Sequence, residues 1–232
     1  MTKNYSKYLK SDSDGYIQIT PEVKALAEKI TLGAESDEEK VGLIHDYIKE
    51  IDYSINPSTS IDDLINSESL DCGSKHILQA ALYRSLDIPT RIPILECPIS
   101  GVEKAIQNLK IPKWASMATK LFFSSLKNNV KSVTHYAVEP RYNDEWHFFD
   151  ATMGNHMCDF FDGEKKELCL SNEGTSGIMG CKRIGHLDDF PGSGVIFSSI
   201  IKGLLDLTGK ANKIFDFTKN FIDDTTDRNL GL

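Results

Sequence analysis

Apolar residues recur at helical spacing through the first third of the chain. Thr20-Pro21 is a cap followed by proline at a first helical position, and Val23, Leu26, Ala27 and Ile30 form the stripe behind it, closed by Gly33. Ser36-Asp37-Glu38-Glu39 is a capping box, and Val41, Ile44, Ile48 and Ile51 continue at helical spacing, so a helix is expected over 37–51. Residues 52–70 are rich in Ser, Asn and Asp and read as loop, with one helical turn around Ile61 to Ile65. A third helix is expected over 72–86, capped by Asp71, with Ile77, Ala80, Ala81 and Leu82 as an apolar face of mostly small residues.

The pattern then changes period. Ile88-Pro89 stops the third helix, and Thr90 to Cys97 reads as a strand. A long helical segment is expected over 100–128, opening with a second capping box at Ser100-Gly101-Val102-Glu103. Val133 to Tyr142 and Glu145 to Thr152 are aromatic and β-branched runs on either side of Asn143-Asp144, the signature of a β-hairpin. Residues 158–170 are expected to add one or two strands, 171–180 (SNEGTSGIMG) a loop, and 195–222 two short helices broken near Gly209. Residues 1–18 read as an arm or edge segment. No internal repeat is visible.

With 232 residues, 40% hydrophobic, the chain can bury a real core. A formal net charge of -8 and the lack of a basic stripe with interleaved aromatics exclude the usual nucleic-acid binder. No apolar run of membrane-spanning length occurs. The polar opening MTKNYSKYLKSDSDGY has no apolar signal stretch, so the five cysteines (Cys72, Cys97, Cys158, Cys169, Cys181) are expected as reduced thiols in a cytoplasm.

Three residues stand out by position. Cys72 opens a helix, where backbone amides and the helix dipole favour a thiolate, the nucleophilic form. The same amides are candidates to hold an oxyanion. His135 and Asp150 lie on opposite arms of the hairpin. With Tyr142 facing Glu145 across the turn, His135 faces Thr152 and Asp150 faces Ala137, which makes Asp150 the diagonal neighbour of His135 on one face, about 7–8 Å away at the backbone. An Asp there can fix the tautomer of His135 and leave the other ring nitrogen for Cys72.

The run DCGSKHILQAALYRSLDIPTRI, through Cys72, Ala80, Arg84, Leu86, Ile88, Pro89 and Arg91, resembles the nucleophile helix of the transglutaminase-like superfamily, and THYAVEPRYNDEWHFFDAT, through His135, Trp146, Asp150 and Thr152, resembles its second half. The capped helix before them and Tyr53 suit the same family. The resemblance covers roughly residues 36–155. It implies an α+β fold of the papain/transglutaminase kind, the nucleophile helix packed on an antiparallel sheet, with extra helices in an insertion and at the C-terminus. The domain division it suggests is an N-terminal arm and helix at 1–35, a catalytic domain at 36–190 with a helical insertion at about 98–130, and a tail at 191–232. It implies a Cys72–His135–Asp150 triad acting on a protein or peptide amide through a thioester. Hydrolysis, as in a cysteine peptidase or amidase, is the first expectation; protein-glutamine cross-linking and an inactive peptide-binding module are the alternatives. The chain departs from the family at Leu70 and Asp87, where glycine is usual, with Gly73 after the nucleophile instead. Neither acidic calcium loops nor a paired CxxC motif is present, so no cofactor is implied. Oligomeric state is open.

Other residues carry weaker signals. Gly73, Tyr136 and Trp146 are candidate cleft residues, Trp146 equally a packing aromatic. His76, one turn after Cys72, reads as a helix-surface histidine, and Lys75 as exposed. His147 points away from Asp150 by hairpin parity. His156, Cys158, Cys169, Cys181 and His186 are too irregularly spaced for a zinc site. The insertion, with Trp114 and Phe122, serves equally as lid or core, and the apolar tail is expected to pack on protein rather than lipid.

Overall fold

The computed structural model describes residues 5–11, 17–53, 60–107, 131–159, 161 and 163–189. The tail at 191–232 and most of the insertion, 108–130, lie outside these residues.

Side chains at the helix starts do what their type allows. Thr20 accepts the Val23 N–H at 3.3 Å ahead of α1 (Pro21–Ile30), and Ser36 accepts the Glu39 N–H at 3.2 Å ahead of α2 (Asp37–Glu50). Glu39 completes its side of the box one residue early, taking the Glu35 N–H at 2.7 Å. Strand β1 (Asp52–Tyr53) pairs in parallel with β2 (Ser69–Leu70), and the short α3 (Ile61–Ile65) lies between them.

The central element is α4 (Cys72–Ser85). It contacts α1, α2, α3 and the later strands, and every residue from Gly73 to Ser85 except Ile77 is buried. Enclosure on all sides explains why its sequence lacks a sharp apolar stripe: its inward polar groups are satisfied by the body of the protein. Gln79 Nε2 donates to the Tyr83 hydroxyl at 2.9 Å, which donates to the Val41 carbonyl at 3.0 Å. Arg84, fully buried, donates to the carbonyls of Thr90 and Lys10 and pairs with Asp188 at 2.7 Å.

The expected strand at 90–97 is two, β3 (Thr90–Arg91) and β4 (Pro93–Pro98), in different sheets. Helix α5 (Ile99–Gln107) follows β4 directly, so Ser100 sits inside its first turn instead of capping it. The hairpin register is as expected, Tyr142 opposite Glu145 and Arg141 opposite Trp146, because Asn143 and Asp144 both adopt positive φ (49° and 67°), the geometry of a type I′ turn. The hairpin is not one continuous ladder. Strand β5 (Ser132–Tyr136) pairs with β4, whereas β6 (Glu139–Tyr142) pairs with β3 and β7 (Glu145–Trp146). The chain changes sheet at Ala137–Val138, and a Val138–Phe149 bridge carries the register across.

Beyond residue 152 the structure differs from expectation. The described residues of 158–170 form no strand; they hold the end of α6 (Asn155–Cys158) and α7 (Glu164–Leu170), the latter built from the helix formers of EKKELCL. The expected 171–180 loop contains α8 (Gly174–Met179), and β8 (Lys182–His186) adds to the far edge of β4.

Four of the five cysteines are paired, Cys97 with Cys181 and Cys158 with Cys169, which corrects the expectation of reduced thiols. Chain spacing gave no hint of these pairs, since one spans 84 residues and the other 11. Among the described residues no helix is long and apolar enough to cross a membrane.

Candidate functional site

Cys72 is the one unpaired cysteine and is partly exposed at the first position of α4. Asp71 caps the helix, its carboxylate accepting the Ser74 N–H at 2.7 Å and the Gly73 N–H as well. The Asp71 carbonyl takes the Lys75 N–H at 2.9 Å. These bonds occupy the Gly73, Ser74 and Lys75 amides of the first turn. Burial pushes the Asp71 carboxyl up, against the opposing hydrogen bonds from Ser74 and Gly73.

His135, on β5, and Asp150, after β7, are both buried. The His135 Nε2–H donates to Asp150 Oδ2 at 2.9 Å, and the Cys72 side chain lies close enough to the ring to favour its charged form. Burial alone would lower the His135 pKa. The Asp150 charge and hydrogen bond, with the contact to Cys72, outweigh it and raise it to about 10. Burial would likewise raise the Asp150 carboxyl, but the His135 charge and hydrogen bond hold it well below the usual carboxylate range. The Thr152 N–H donates to Asp150 Oδ1 at 3.0 Å.

Behind the pair lies a buried polar layer that the sequence reading placed on the surface. His76 is fully buried, not exposed. Its Nδ1 lies 2.6 Å from the Cys72 carbonyl, an acceptor only, and its Nε2 lies 3.1 Å from the Ala151 N–H, a donor only. Nδ1 therefore carries the proton and the ring is neutral, in line with the lowering of its pKa by burial. With Nε2 turned to Ala151, the 3.5 Å approach to Asp150 Oδ1 is not a donated bond. Lys75 is also fully buried, its ammonium donating to the Ala151 carbonyl at 3.3 Å, and burial lowers its pKa to about 8. Both corrections share one cause: α4 has no solvent face at this level.

The candidate cleft residues fare differently. Tyr136 is buried, and its phenol is pushed up by burial and by the charge of Cys72, which places it near the thiol; Tyr53 responds in the same way. Gly73 is in the first turn of α4. Trp146 is packed edge-on by Tyr5 and Tyr8 of the N-terminal arm, with the Arg91 guanidinium 4.3 Å from its ring. His147 stacks on Tyr142, centroids 3.8 Å apart. Of the residues weighed for metal, Cys158, Cys169 and Cys181 are in disulfides, and His186 lies 3.5 Å from the buried Glu139, which also pairs with Arg91 and Arg183. Among the described residues no group of three His, Cys, Asp or Glu could hold a metal ion.

The family model of the transglutaminase-like superfamily matches residues 24–151, more than half of the chain, and the chain belongs to that superfamily. No curated protein matches it. Among solved structures, it is similar to a protein from Cytophaga hutchinsonii provisionally named a cysteine protease (24% identity over 66% of this chain, TM-score 0.45) and to one from Parabacteroides distasonis provisionally named a protease (16% identity over 62%, TM-score 0.36). The chain spans 43% and 24% of their lengths.

Proposed function

We propose that the protein is a cysteine-dependent acyl-transfer enzyme acting on a protein or peptide amide, with Cys72 as nucleophile, His135 as acid and base, and Asp150 orienting His135. The observation that carries this reading is the placement of His135, hydrogen-bonded to the buried Asp150 through Nε2 and within interaction range of the Cys72 side chain. The Cys72 thiolate attacks the carboxamide carbon, and the carbonyl electrons move to oxygen, for which we assign the Cys72 N–H as donor. The C–N bond then breaks as the imidazolium of His135 gives its proton to the leaving amine, and a thioester remains. Water attacks the thioester, loses its proton to His135, and releases the acid and the thiolate.

Water is the acceptor that needs no second binding site, so hydrolysis is the reading we put first. A lysine amine in its place gives cross-linking. Incubation with a peptide carboxamide library, with and without a primary amine, tests the reading by mass spectrometry. An acyl adduct on Cys72 that resolves to free acid supports hydrolysis, one that resolves mainly to the amine adduct supports transamidation, and no adduct on Cys72 opposes both.

The two disulfides favour an oxidising compartment. The cytoplasmic expectation rested on the polar N-terminal sequence, and the reduced thiols followed from it.

A further inference from the structure

Asp150 is gripped by a segment that lies outside the family match. The Asp150 N–H donates to the Asn172 carbonyl at 2.9 Å. Gly174, at φ 48°, backs onto the Asp150 carbonyl so closely that a Cβ there would collide with it. The buried Ser176 then gives two donors to one carboxylate oxygen: its N–H reaches Asp150 Oδ2 at 2.7 Å and its hydroxyl at 2.6 Å. This is the same oxygen that receives His135. The segment is tied at both ends. Cys169, before it, is bonded to Cys158 and its carbonyl accepts the buried Lys49 ammonium at 3.3 Å; Cys181, after it, is bonded to Cys97.

The geometry points to Ser176 as a positioning residue of the site: its hydroxyl fixes Asp150 Oδ2 beneath His135 and shares that oxygen's charge. The inference rests on the functional reading above, because it matters to activity only if His135 serves Cys72. A carboxylate oxygen with three donors holds the proton of any one of them less tightly than an oxygen with two. Ser176 thus tempers the grip of Asp150 on His135, which must give its proton to the leaving amine.

The test is the ring-nitrogen NMR titration of His135 in the full-length, disulfide-intact protein with labelled histidine, for wild type, Ser176→Ala, Asp150→Asn and the double variant. We expect Ser176→Ala to move the His135 midpoint upward by about one pH unit, roughly the value of one hydrogen bond to a charged group. In the Asp150→Asn background the same substitution should leave the midpoint where it is. An unmoved midpoint in Ser176→Ala, or an equal shift in both backgrounds, overturns the assignment. If the Ala variant does not fold, Ser176→Cys, near in size with a much weaker donor, carries the same expectation. The functional reading fails separately, on whether Cys72 reactivity depends on His135.

Discussion

His76 accepts the Ala151 N–H at 3.1 Å and so ties the residue after Asp150 to α4. Its other nitrogen binds the Cys72 carbonyl, at 2.6 Å. One neutral ring thus joins two chain segments, each next to a candidate catalytic residue. His76→Ala removes both bonds and leaves a cavity, so it should destabilise the fold by about 2–4 kcal/mol, read by denaturant unfolding. A helix-surface histidine would change stability by no more than about 0.5 kcal/mol.

Acid should weaken the protein before its carboxylates titrate. Burial, aided by Lys49, holds the His45 pKa down at about 3, and burial lowers that of His76. Both groups have folded values below the unfolded value of about 6.5, so the unfolded chain binds more protons below that pH. Their stabilisation is full above about pH 6.5 and falls as pH drops below it, for His45 down to about 3, by at most about 1.4 kcal/mol per pH unit for each. Unfolding midpoints measured between pH 7 and 4 should follow this slope, and His45→Asn should flatten it.

The intact protein should carry one titratable thiol. Denatured without reductant it should take up one alkyl group, and five after reduction. Reduction should also lower the stability of the 158–181 region, by about 2–4 kcal/mol for each bridge. Five alkyl groups before reduction would show that the bridges do not form.

Trp146→Ala should loosen the N-terminal arm, which packs Tyr5 and Tyr8 against that ring. Proteolysis near residue 10 should quicken while the alkylation rate of Cys72 stays within about twofold of wild type. A large loss of Cys72 reactivity would return Trp146 to the cleft.

Much of this arrangement is legible where local chemistry decides it. Thr20, Ser36 and Asp71 cap the helices they precede, and Asn143-Asp144 sets a register that brings His135 to Asp150. What stayed hidden depends on contacts distant in sequence. Lys75 and His76 have the composition of a surface, and only enclosure of α4 by α1, α2, α3 and the strands β2, β3 and β5 buries them. The helices of 155–179 are short and held by disulfides whose pairing no spacing encodes. Ser176 sits in a Gly/Ser stretch that reads as loop, 26 residues from the carboxylate it serves.

The proposed chemistry turns on a thiolate–imidazolium pair between Cys72 and His135. The direct test is the rate of iodoacetamide labelling at Cys72, followed by mass spectrometry from pH 4 to 10, in wild type and His135→Ala. Fast labelling of the wild type is expected in mild acid, where an ordinary thiol of pKa about 8.5 is almost inert, with loss of that acid reactivity in the variant. Labelling of Cys72 that follows an ordinary thiol, or that is the same in both proteins, would contradict the pairing.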